Sequence, residues 1–147
     1  YNGDYIPAED RPKPAEKKQS RIKDDPSRAE LLSYIKEYIA FYRSIEPKAT
    51  VCCVNKNPFR KADFTYVPYH CLYQNYSEGY DMWILMADGK FYQLKPVKFP
   101  SHSMPDVCYE MHHKTEQQFI DAFYKALTGA DHRLTKFLQT MRKIADR

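Results

Sequence analysis

Residues 80–97 read YDMWILMADGKFYQLKPV. Two runs rich in apolar and aromatic side chains, Tyr80–Ala87 and Lys90–Val97, flank Asp88-Gly89. Asp-Gly between such runs is a strong short-range signal for a β-hairpin, because both residues tolerate the backbone angles a tight turn needs. Working back from this hairpin, Phe64–Tyr73 alternates loosely around Pro68, and Ala49–Val54 is a short β-branched and cysteine run. A proline within a strand has no N–H to give to a ladder, so Pro68 predicts an edge strand or a bulge. These runs predict an antiparallel meander of about four strands.

The sheet is bracketed by helical periodicity. Leu31, Leu32, Ile35, Tyr38, Ile39, Tyr42 and Ile45 recur at the spacing of one helix face. The start falls at Asp25-Pro26, or at a capping box formed by Ser27 and Glu30, and Pro47 ends the helix. On the other side, Pro96, Pro100 and Pro105 mark a loop. Thr115 and Gln118 form a second capping box before Phe119, Ile120, Phe123, Tyr124 and Leu127, with Gly129 at the C′ position. Asp131 is placed to cap a last helix carrying Leu134, Phe137, Leu138, Met141 and Ile144 on one face. Arg133, Lys136, Arg142, Lys143 and Arg147 lie mostly off that face. The expected fold is α+β, a small antiparallel sheet packed by an N-terminal helix and a C-terminal helical pair. Helices on one face of a meander bury both apolar surfaces.

Residues 26–147 form this single domain, and residues 1–25 read as a flexible leader. Six basic residues (Arg11, Lys13, Lys17, Lys18, Arg21, Lys23) cluster in the leader, flanked by Asp4, Glu9, Asp10, Asp24 and Asp25. Such a segment is either a solvated linker or an arm for phosphate or acidic protein. The chain opens on Tyr1, which suggests part of a longer protein. No run of apolar residues is long enough for a membrane span, and Cys52, Cys53, Cys71 and Cys108 show no disulfide framework. Reduced thiols and an intracellular setting, cytoplasmic or nuclear, are therefore expected.

Three constellations bear on chemistry. Asp81, Asp88 and Lys90 resemble the two carboxylates and lysine that a metal-dependent nuclease uses, though Asp88 is equally a turn residue. Cys108, His112 and His113, the first two four apart, invite a zinc site completed by Cys52, Cys53, His70 or Cys71, but neither C-x-x-C nor H-x₃-H spacing is present. His70-Cys71 and Cys108 with His112 also invite a Cys–His hydrolase, yet no orienting acid or oxyanion loop accompanies them. The four glycines are too scattered for a phosphate-cradling loop.

What remains is a surface. The chain holds 13 Tyr and 8 Phe against one Trp, and its net charge is +4. Lys56, Arg60 and Lys61 accompany Tyr66 and Tyr69, and Lys95 and Lys98 accompany Tyr92. Cations interleaved with rings suit a protein-docking sheet face, or stacking of single-stranded nucleic acid. The expectation is a non-catalytic interaction module, part of a larger protein or assembly, that docks a protein partner without cofactor or metal. A single-stranded nucleic-acid-binding domain and a metal-dependent phosphodiesterase are the alternatives.

Overall fold

A computed structural model of the chain describes residues 20–55, 64–75, 81–97 and 108–146. Helix α1 spans Arg28–Arg43. Five strands follow: β1 Ala49–Asn55, β2 Phe64–Asn75, β3 Asp81–Met86, β4 Phe91–Val97 and β5 Cys108–Lys114. Helices α2, Glu116–Thr128, and α3, Asp131–Ala145, close the order. No helix among the described residues is long and apolar enough to cross a membrane.

The α+β class holds, but the sheet is a closed five-stranded barrel and not an open meander of four. Strands β1 to β5 pair antiparallel in chain order, and β5 returns to pair parallel with β1 at Val54↔Tyr109 and Asn55↔Glu110. The added strand is β5. It lies beyond the proline-rich stretch, and Cys108 and His112 share a face in a strand as they would in a helix, so their spacing does not discriminate.

Two bulges shape the barrel. Cys52-Cys53 of β1 stand against Tyr66 of β2, between the pairs Val51↔Val67 and Val54↔Thr65. Leu72 is the extra residue between Cys71↔Ile84 and Tyr73↔Trp83. Before this second bulge Val67 and Tyr69 pack with the barrel interior, and after it Leu72 and Tyr73 both pack toward the helices. A bulge re-aims side chains in this way. Pro68 pairs with Thr50 of β1, and β3 begins to pair only at Tyr69↔Met86, so the proline sits where β2 has a strand partner on one side.

Alternation divides the apolar residues into two cores. Val54, Val67, Met82, Ile84, Leu94 and Met111 fill the barrel. Leu72, Leu85 and Phe91 point outward instead and meet Ile35, Tyr38, Phe119, Phe123 and Phe137 of the helices. Phe119 stacks on Phe91 and Phe123 at ring separations of 5.4 and 5.2 Å, and Phe123 meets Phe137 edge-on at 5.2 Å. Much of the aromatic content is thus consumed between barrel and helices.

The helix ends follow the sequence closely. Ser27 is the N-cap of α1, with Glu30 N–H donating to Ser27 Oγ at 3.2 Å and Ser27 N–H to Glu30 Oε1 at 3.0 Å. Thr115 and Gln118 do the same for α2. Gly129 is itself the C-cap, at an ordinary φ of −84°, and not a left-handed C′ residue. Ala130, not Asp131, is the N-cap of α3; Asp131 lies in the first turn, where its charge suits the helix dipole. Residues 20–25, assigned to the leader on composition, pack onto the domain. Ile22 is buried, Tyr34 Oη bridges the Arg21 carbonyl and the Lys23 N–H, and Asp24 meets Arg142.

Candidate functional site

The aromatic and basic residues singled out in the sequence do not share one face. Tyr66 is outward and 74% exposed, whereas Tyr69 and Tyr92 pack against the barrel core. Lys95 is exposed on β4 and registers with Glu110 at the end of the barrel away from the β3–β4 turn. Lys56, Arg60, Lys61 and Lys98 lie outside the described residues.

The hairpin turn separates the acidic pair. Met86 N–H donates to Lys90 O, Gly89 N–H to Met86 O, and Lys90 N–H to Asp88 Oδ1, with Gly89 at φ +84°. This is a three-residue loop, Ala87-Asp88-Gly89, with glycine at the left-handed position. Asp88 is exposed there, while Asp81 opens β3 at its far end and accepts from Gln93 Nε2 at 3.1 Å. The six residues of β3, at about 3.3 Å each, keep the two roughly 15 Å or more apart, too far to share a metal.

The histidines and thiols are also dispersed. His70 is buried, and its Nε2 donates to Ile45 O at 2.9 Å. It borders a cavity of about 500 Å³ at the end of α1, shared with Tyr42, Arg43, Pro68 and Met86. Arg43 there is committed, to Glu116 at 2.5 Å and over the Phe91 ring. His112 Nε2 stands 2.5 Å from Glu110 Oε1 without hydrogen-bond alignment, and His113 faces Tyr92. No group of three or more His, Cys, Asp or Glu among the described residues is arranged to hold a metal.

A second cavity differs in kind. A groove of about 570 Å³ runs between the Cys71–Gln74 segment of β2 and the His132–Thr140 stretch of α3. Tyr38, Leu72, Phe123, Leu127 and Phe137, all buried, form its floor. His132, Lys136 and Thr140 follow at i, i+4 and i+8 along one helix stripe, with Arg133 beside them. None of the described residues that line it is a carboxylate. Neither Arg133 nor Lys136 is ion-paired among the described residues, whereas Arg21, Lys23, Arg43 and Arg142 pair with Glu37, Glu30, Glu116 and Asp24.

The strand wall of the groove is interrupted for further pairing by a bulge and an occupied carbonyl at Leu72. β1 ends its register with β2 at Ala49↔Tyr69, so beyond Tyr69 the strand has β3 on one edge and no strand on the other among the described residues. Tyr38 Oη donates to Leu72 O at 2.8 Å. Burial pushes the Cys71 thiol up against the opposing pull of the Tyr73 backbone N–H, so the thiol stays protonated and weakly nucleophilic.

The sequence signal for this site is the basic stripe of α3, recognisable as off the apolar face. Its counterpart on β2 has no signature, because the bulge that turns Leu72 and Tyr73 toward the helices is invisible in a run without glycine. Among protein families, curated proteins and solved structures, none matches this chain.

Proposed function

We propose that this domain is a non-catalytic docking module, and that a segment of a partner protein seats in the groove between β2 and α3. The observation that carries this reading is an apolar, aromatic floor beneath a rim whose charges are uncompensated and of one sign. Interfaces concentrate binding energy in buried apolar pockets with arginine nearby, and a volume of this size takes a few side chains. The docking face is therefore the groove and not the sheet surface around Tyr66. The module works as part of a larger protein or assembly inside the cell, a setting in which an unpaired thiol such as Cys71 is stable.

Selection of a random dodecapeptide library on the full chain tests this reading. Binders are compared on the native chain and on Thr140→Trp, which fills the groove from its rim while leaving the floor residues unchanged. The expectation is a set of peptides whose affinity drops at least about tenfold on Thr140→Trp, the loss of a good pocket contact. A selection that returns no groove-dependent peptide ends the reading.

A further inference from the structure

Given that docking reading, we infer that the groove's occupant is an acidic peptide segment, with Asp or Glu side chains placed against Arg133 and Lys136 and one bulky apolar side chain over Phe123, Leu127 and Phe137. Charge is the first reason. Arg133, Lys136 and His132 stand together on the groove's rim, neither Arg133 nor Lys136 has an ion partner among the described residues, and none of the described residues lining the groove is a carboxylate. Arginine in this position presents a planar fork that fits a carboxylate with two hydrogen bonds, and lysine adds a point charge. A basic segment would meet like charge with no carboxylate among the described lining residues to offset it.

The floor argues for a peptide over a nucleic acid. Base stacking needs a ring face open to solvent. The rings of the groove floor are spent: Phe123, Phe137 and Tyr38 are 4%, 5% and 7% exposed and packed on one another, and the half-buried Tyr73 at the wall leans on Phe123 at 5.7 Å. An aliphatic or aromatic side chain can lie across such a floor, but a base cannot slide between its rings. The exposed ring of Tyr66 lies on the part of β2 paired with β1, outside the groove lining.

The β2 edge argues further that recognition passes through side chains. A strand-adding ligand needs free backbone groups along the edge. Leu72 O is already taken by Tyr38 Oη, and the bulge at Leu72 breaks the even spacing of edge groups that an added strand would pair with. Native edges are protected against unwanted pairing by such devices.

The same peptide selection, run on the full chain and on Arg133→Glu/Lys136→Glu, decides the matter. Both positions lie on the solvent side of α3, and glutamate at 133 suits the helix's first turn, so the variant keeps the fold. Groove-dependent peptides from the native chain are expected to be rich in Asp and Glu around one apolar residue. They should lose about tenfold or more in affinity on the charge-reversed variant, and more salt should weaken them. Selection on the variant should return Lys- and Arg-rich peptides instead. Groove-dependent peptides of neutral or basic composition on the native chain overturn the acidic occupant while leaving docking intact. The absence of any groove-dependent peptide overturns both. A single-stranded dodecanucleotide that binds the native chain, loses affinity on the variant and competes with the selected peptides would reassign the groove to nucleic acid.

Discussion

Individual side chains settle several local outcomes. Glu30 accepts from Lys23 Nζ and from the Ser27 backbone N–H, and these bonds, the lysine's first, lower its carboxyl from 4.5 to about 2. A carboxylate held low in the folded state stabilises fully above its unfolded pKa and loses that contribution as pH falls through the folded value. Thermal midpoints should therefore fall between about pH 4.5 and pH 2, and Glu30→Gln should flatten part of that decline. Tyr38→Phe removes the hydroxyl from a buried carbonyl and should cost about 1–2 kcal/mol in denaturant titration; an unchanged midpoint would mean water replaces it. Residues of this kind were legible in advance where the interaction is local. The Ser27–Glu30 and Thr115–Gln118 boxes appear at their expected positions. Tyr38's bond to a carbonyl 34 residues away has no local trace.

Elements show the same division between near and far. The β3–β4 hairpin, the three helices and the strand segments around them can be read from periodicity and turn chemistry, which act over a few residues. The turn itself is one residue longer than Asp-Gly alone implies, since Ala87 joins it. Gly89 sits at φ +84° with open space where a Cβ would stand, so Gly89→Ala tests backbone strain free of steric clash. It should destabilise by about 1 kcal/mol, seen as a lower guanidinium midpoint at unchanged slope. β5 escaped because its inward Tyr109 and Met111 alternate with Glu110, His112 and Lys114 over too short a run to outweigh the prolines before it. The groove escaped for a related reason. Its two walls lie about sixty residues apart, and the bulge at Leu72 that joins them is set by pairing with β3. Leu72→Ala, at 3% exposure, should cost about 2–4 kcal/mol and loosen the groove floor.

At the scale of the molecule, barrel closure and helix packing are interdependent. Each of β2, β3 and β4 contributes one face to the barrel core and another to the helical layer. Unfolding should therefore be one cooperative transition. Trp83, which lies over Phe119 at 5.9 Å, reports on the layer by fluorescence, and far-ultraviolet dichroism reports the helices. Their midpoints should coincide in guanidinium, and separation would show that the helices detach from a surviving barrel. The contact between Asp24, ahead of α1, and Arg142, in the last turn of α3, ties the approach to α1 to the end of α3. In a permuted domain of residues 20–146, a short linker at that corner would close the chain into a ring, and the Ala87–Gly89 turn offers a place to open it.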